Sequence, residues 1–332
     1  MKWRNLLAQY GALFALIVLF GYNVATRGGE FLQLENLRNL ISQNAAVGVI
    51  AVGMTLVIIA GGIDLSVGSM TAMCGAFAIL TVNKLASGHM SPGAIMALSA
   101  LVSIGIGALA GLFNGFVIAY GRVAAFVVTL AGLAGFRSIA LVLGQGGEIR
   151  SSLPQLQDFG FGGVAIPGSH GTGGGPVILY WSALVFLLVA VATSFVLNRT
   201  RFGRYVIAVG ANPKAAEYSA INVQTIRVAV FALLGALVGL AAMLQAAKMN
   251  SVGTGSEGLY YELDAIAAVV IGGTSLRGGR GNVWGTVIGV ILLTLITNMI
   301  SASNIDTNWQ GLVRGIVILV AVLIQRGRPE NE

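Results

Sequence analysis

Charge is what this chain lacks. Only 9% of its 332 residues are Asp, Glu, Lys or Arg, while 56% are hydrophobic. Soluble domains run near 25% charged. That deficit and a mean hydropathy of +0.86 exclude an ordinary soluble fold and leave an all-α polytopic membrane protein. Cysteine is almost missing as well. The single Cys74 lies in an apolar run, which excludes an intrachain disulfide and a cysteine metal centre. The two histidines, His89 and His170, fall in expected outer loops without HExxH spacing. Gly-Lys occurs nowhere, so there is no GxxxxGK[ST] phosphate loop, and no GxSxG turn is present either. No catalytic or metal-ligating set emerges, and any ATP hydrolysis that drives this chain belongs to another polypeptide.

Hydrophobic runs are abundant. A helix needs roughly 20 mostly apolar residues to cross the hydrocarbon layer, and on that basis the chain holds about ten spans. They lie near 6–22, 40–60, 67–82, 92–119, 124–143, 177–197, 228–247, 263–274, 283–300 and 309–324. The first is read as an uncleaved helix and not a secretory signal, because it is long and many spans follow. Between spans one and two, FLQLENLRNLI suits an amphipathic surface helix. The stretch 144–176 is a long Gly- and Pro-containing outer loop. The whole is one transmembrane domain, 1–332, in which 198–227 separates six spans in 1–197 from four in 228–332.

Placing the N-terminus inside puts Lys2, Arg4, Arg122, Arg199, Arg201, Arg204, Lys214, Arg227, Arg277, Arg280, Arg326 and Arg328 on the inner side. The outer side then holds Arg27, Arg38, Lys84, Arg150 and Lys248. Cytoplasmic loops carry the excess of Lys and Arg, so both termini and 198–227 are expected in the cytosol. Scattered this way, the basic residues set orientation and do not form a nucleic-acid patch, although the pI is about 9.9.

The segment 198–227, NRTRFGRYVIAVGANPKAAEYSAINVQTIR, is the most polar break. With Arg199, Arg201, Arg204, Lys214 and Arg227 against Glu217, it carries +4 of the formal net charge of +7. Asn212 suits an N-cap and Pro213 the first helical position, predicting a short helix of about two turns to roughly Ala220.

Small residues recur with helical spacing. Ser99, Ser103, Gly107, Gly111 and Gly115 form one face of span four, and Gly281, Gly285 and Gly289 a second at span nine, the small-xxx-small pattern of close packing. Gly61-Gly62-x-x-Leu65-x-x-Gly68 is echoed by Gly272-Gly273-x-x-Leu276-x-x-Gly279, a weak sign of an internal repeat.

Polar groups at membrane depth are candidates for function, because burying them is costly. Asp64 in GGIDLSVGS lines or gates a path, or else caps the helix that follows; Ser66 stands beside it. Asp264 reads as a second cap. Arg137 and Arg314 pair with acids or face a cavity. Asn114 and Asn298 bond across helices or meet a sugar hydroxyl. Phe126 and Thr129, in the FVVTLAGLAGFRS run, complete the candidate path.

GGIDLSVGS, FVVTLAGLAGFRS, TRFGRYVIAVGANPKAAEYSAINV and ELDAIAAVVIGGTSLRGGRGNVWGT stand in one order across essentially the whole chain. In these four blocks the sequence resembles the permease subunits of ribose-type sugar ABC importers. The resemblance implies a bacterial inner-membrane, multi-pass subunit of an importer. It implies a second permease copy or paralogue, cytosolic ABC ATPase subunits that bind ATP and Mg, and a periplasmic sugar-binding protein. Membrane lipid surrounds it, nucleic acid is not a partner, and the chain itself holds no cofactor. The family's contact segment reads GxxxxAxGxNxxAAxxSGI; Gly203, Ala208, Gly210, Asn212, Ala215, Ala216, Ser219 and Ile221 match it. The expected ATPase-coupling set is Gly210, Asn212, Pro213, Lys214, Ala215, Ala216, Glu217, Ser219 and Ile221. Ala220 replaces the usual Gly, and Ala125 and Ser138 stand where the family often has Pro and Gly. Alternative cargoes are a furanosyl signalling molecule, nucleosides or branched-chain amino acids; an ion-coupled secondary carrier is the alternative mechanism.

Overall fold

The structure, a computed structural model, describes residues 2–171 and 174–302 and, beyond these, 309, 311, 312, 315 and 316. Its elements run α1 Lys2–Leu32, α2 Leu34–Gln43, α3 Ala45–Ile59, α4 Val67–Ala86, α5 Pro92–Tyr120, α6 Ala125–Leu143, β1 Glu148–Arg150, α7 Gln155–Gly160, β2 Gly163–Ala165 and β3 Ile178–Tyr180. They continue α8 Trp181–Arg199, α9 Arg201–Ala211, α10 Pro213–Tyr218, α11 Val223–Met249, β4 Ser251–Gly253, α12 Tyr261–Ile271 and α13 Val283–Ala302.

The bundle is built around α3. Its sequence, AAVGVIAVGMTLVII, is apolar on every face, and every residue of it is buried, as a helix without a polar side must be. Helices α11, α8, α12 and α13 pack around it. Thr55 of α3 meets Thr286 of α13 hydroxyl to hydroxyl at 2.8 Å. Among the described residues, seven helices are long and apolar enough to cross a membrane. An eighth crossing arises if α2 and α3, bent by 49°, count as one span. The remaining difference from ten has two sources. Helix α12 has only 11 residues, and the expected span 309–324, with Arg314, falls largely outside the described residues.

Both small-residue ridges are contact faces. Ser99, Ser103, Gly107, Gly111 and Gly115 are all buried. A Cβ on Gly107 would strike the Gly235 carbonyl, one on Gly111 the Phe231 carbonyl, and one on Gly239 the Ser103 carbonyl. Helices α5 and α11 therefore touch backbone to backbone, and Ser103 Oγ donates to the Gly239 carbonyl at 2.7 Å. At α13, Gly285 lies on Gly272 and Gly289 on the Ala268 carbonyl.

The echoed glycines form matching helix ends, displaced by one residue from the sequence match. Gly61 has φ 83° and Gly273 φ 90°. Gly61 N–H donates to Ile58 O and Gly62 N–H to Val57 O, each at 2.9 Å; Gly273 N–H donates to Val270 O at 2.9 Å and Thr274 N–H to Val269 O at 3.2 Å. Gly61 thus corresponds to Gly273, not Gly272, and both close their helices in the left-handed conformation that glycine tolerates.

The stretch 144–176 is more structured than the all-α reading expects. β1 pairs antiparallel with β4, Glu148 opposite Gly253 and Arg150 opposite Ser251, and β2 pairs with β3. On the exposed β1 strand, a hydrogen bond from Ser251 and the Arg150 guanidinium hold the Glu148 carboxyl below the usual carboxylate range. The loop expected at 23–38 is instead the end of α1, broken at Gly28 with φ 53°, followed by the amphipathic α2.

Candidate functional site

Three side-chain caps punctuate the polar segment. Thr200 Oγ1 accepts from Gly203 N–H at 3.2 Å, Asn212 Oδ1 from Ala215 N–H at 3.0 Å, and Asn222 Oδ1 from Thr225 N–H at 2.9 Å. They start α9, α10 and α11. α10 has Pro213 at its first position and spans six residues, matching the short helix read from the sequence. It ends with Ile221 N–H on Ala216 O at 3.0 Å and Ala220 at φ 59°, a left-handed closure. The coupling candidates divide by exposure. Asn212, Pro213, Lys214, Ala215, Glu217 and Ser219 face outward, while Ala216 is buried and Ile221 partly so. Tyr218, absent from the sequence candidates, is 90% exposed at the tip. The one available signal for it is an aromatic in a polar helix.

Gly210 does a different job from its neighbours. A Cβ there would strike the Ile59 carbonyl and crowd Gly279 N, and Gly279 N–H itself donates to Ile59 O at 2.8 Å. The end of α9, the end of α3 and the turn after α12 are thus clamped backbone to backbone. Beside the clamp opens a cleft of ≈ 680 Å³ whose walls include Gly61, Arg122, Lys214, Glu217, Arg227 and Phe231.

Above the clamp, four of the path candidates meet. Asp64, Ser66, Asn114 and Thr129 are fully buried. Asp64 Oδ1 accepts from Ser66 N–H at 2.8 Å and from Ser66 Oγ at 2.5 Å, and Asn114 Nδ2 donates to Ser66 Oγ at 3.0 Å. Thr129 Oγ1 donates to Ala125 O at 2.9 Å and lies 3.4 Å from Ile63 O. Gly132 lets α6 close on Ser66 and Asn114. The N-cap of α4 is Ser66, not Asp64; Asp64 holds the residue before the helix instead of its first-turn amides. Among the described residues, Asp64 Oδ2 and Asn114 Oδ1 have no donor. The other two candidates lie elsewhere. The Phe126 side chain is 57% exposed on α6, and Asn298 accepts from Arg27 Nη1 at 2.9 Å, tying α13 to α1.

A second polar group was only half visible in the sequence. Arg137 Nη1 donates to the carbonyls of Thr254 at 3.0 Å and Glu257 at 2.8 Å, and Glu262 adds its charge nearby. Asp264 does not cap α12; that position is Tyr260, at φ 67°.

An apolar helical bundle with one short polar helix exposed at its end defines a multi-pass membrane protein. Residues 36–322 match the family described as branched-chain amino acid transport system / permease component, and the chain belongs to it. Similar proteins include the ribose import permease protein RbsC of Escherichia coli (strain K12), 37% identical over 96% of this chain and 94% of that protein. RbsC of Bacillus subtilis (strain 168) is also 37% identical, over 96% and 92%. The xylose transport system permease protein XylH of Haemophilus influenzae (strain ATCC 51907 / DSM 11121 / KW20 / Rd) is 32% identical over 98% of both chains.

Proposed function

We propose that this chain is the permease subunit of an ATP-driven ABC importer that carries a monosaccharide, ribose-like or related, across the bacterial inner membrane. The observation that carries the reading is α10. It is a capped helix with an outward face of Lys214, Glu217 and Tyr218, on a chain that lacks a phosphate loop of its own. A chain that must be driven from outside needs such a contact. The near full-length likeness to ribose and xylose permeases supports the cargo class. In this reading the α10 end is cytosolic and meets ATPase subunits, ten spans cross the membrane with both termini inside, and a second permease copy or paralogue completes the path. A periplasmic binding protein delivers the sugar to the β1–β4 end. The Asp64, Ser66, Asn114 and Thr129 cluster sits just above the cytosolic clamp and serves as a gate.

The test is uptake into proteoliposomes that contain this chain with ABC ATPase subunits and a sugar-binding protein from the same organism. Labelled ribose or xylose accumulates only with ATP, and ionophores that collapse ion gradients leave uptake unchanged. Accumulation without the ATPase subunit overturns the proposal.

A further inference from the structure

Helix α12 is 11 residues long, about 16 Å at 1.5 Å per residue, against roughly 30 Å of hydrocarbon. The turn that follows its C-terminal end joins the clamp, where Gly279 N–H meets Ile59 O. Its N-terminal end therefore opens part-way through the bundle. The chain is broken there: Gly258 has φ 71° and Tyr260 φ 67°. A Cβ on Gly68, at the start of α4, would land on the Gly258 carbonyl and beside the Glu262 carboxylate. Glu257 and Glu262 flank the break and are only partly buried. Arg137 stands two thirds of the way along α6 and reaches the break through its two carbonyl bonds. Ser256, Leu259 and Tyr260 are exposed around it.

Carboxylates and a guanidinium left partly open at this depth are costly against lipid tails. Irregular backbone at membrane depth persists only where protein covers it or water reaches it, and interrupted helices mark midplane binding sites. Here the break, the three charged groups and an exposed aromatic ring gather around residues 254–262. We infer that the segment 254–262, with Arg137, lines the aqueous path at mid-depth and receives the polyol cargo. Glu257 and Glu262 accept from sugar hydroxyls, Arg137 fixes the loop and donates, and the Tyr260 ring offers a flat face to sugar C–H groups. The identity of the cargo rests on the permease reading above; the water-lined path does not.

Two measurements on the reconstituted assembly test this. Ser256→Cys and Leu259→Cys are compared with Leu188→Cys, which is 68% exposed on α8; the native Cys74 is fully buried. A charged, membrane-impermeant thiosulfonate needs the thiolate, and hence water, so the 256 and 259 thiols react at least about tenfold faster than the 188 thiol. Equal rates in every nucleotide state overturn the water-lined path, whether or not the wild type transports sugar. Tyr260→Gly relieves the left-handed backbone while removing the ring, and Glu262→Gln removes one charge. Each lowers sugar uptake per ATP hydrolysed by about tenfold, with binding-protein-stimulated ATPase retained. Uptake per ATP equal to wild type in both overturns the cargo role. So does a parallel fall of uptake and ATPase in both variants with the assembly still intact.

Discussion

Ala220 holds φ at 59°, a conformation that costs an ordinary L-residue about 1–2 kcal/mol. The closure of α10 demands it, because Ile221 N–H must turn back to Ala216 O. Ala220→Gly is therefore expected to stabilise the α10 end by about 1 kcal/mol, read as slower amide exchange over residues 213–221 with uptake unchanged. Faster exchange contradicts the strain assigned here. Asp64 is the harder residue. Its Oδ1 is doubly satisfied while its Oδ2 and the Asn114 Oδ1 lack donors, and the Asn114 side chain lies within reach of the same carboxyl. One hydrogen between the two bare oxygens completes the set. An amide supplies it, so Asp64→Asn keeps stability within about 1 kcal/mol and transport within a few-fold. Asp64→Leu takes away the acceptor of the Ser66 N–H and hydroxyl while the Asn114 Nδ2 bond to Ser66 Oγ remains, and costs about 2–4 kcal/mol. Severe loss in the Asn variant, measured by thermal unfolding and uptake side by side, would instead assign an essential charge.

Helices α5 and α11 approach through glycine, and the contact can be broken one methyl at a time. In Gly111→Ala the new methyl meets the Phe231 carbonyl, whereas at Gly105, on the same helix, nothing lies within 4 Å. Gly111→Ala is expected to lower stability by about 1–3 kcal/mol, the usual cost of overpacking, and Gly105→Ala to leave it unchanged or slightly higher. Thermal unfolding in detergent separates them, and equal midpoints would show that the ridge is not a tight interface. This element was legible in the sequence because packing on a helix face repeats every four residues, which residue identity alone records. The start of α10 was legible for a similar reason, since an N-cap and an N1 proline are local signals. The N-terminal end of α12 was legible too, expected near Leu263 and found at Tyr261 after a glycine-rich stretch; what the sequence does not show is that Arg137 holds this end by binding carbonyls more than a hundred positions away along the chain. Asp64 failed as a cap reading because its carboxylate is taken by the N–H and hydroxyl of Ser66, the cap residue itself, and that hydroxyl is in turn held by Asn114 on another helix. Local chemistry shows in a sequence, while contacts between distant helices must be seen in the fold.

At the scale of the molecule, a permease of the proposed kind requires a force on α10 to reach the proposed path. α10 rests on α9 and α11, and the end of α9 is clamped at Gly210 to the ends of α3 and α12. The loop after α3 carries Asp64 and Ser66, and α12 carries Glu262 at its other end. On the proposed reading, a displacement of α10 is passed toward both polar sites through the backbone contacts at Gly210. Two kinds of variant separate the contact from the clamp. Glu217→Arg reverses a charge on the exposed face of α10, at the wall of the cleft. Asn212→Pro removes both the N–H that reaches Ala208 O at 3.1 Å and the cap on Ala215 N–H. Both are expected to leave the bundle folded while sugar uptake falls at least about tenfold and the binding protein no longer stimulates ATPase. Gly210→Val instead drives a side chain into the Ile59 carbonyl, so it lowers thermal stability as well as transport. Normal uptake and normal stimulation in Glu217→Arg and Asn212→Pro together would remove α10 as the coupling element. Gly210→Val at wild-type stability would mean that the clamp yields, and force from α10 would then need another route to the path.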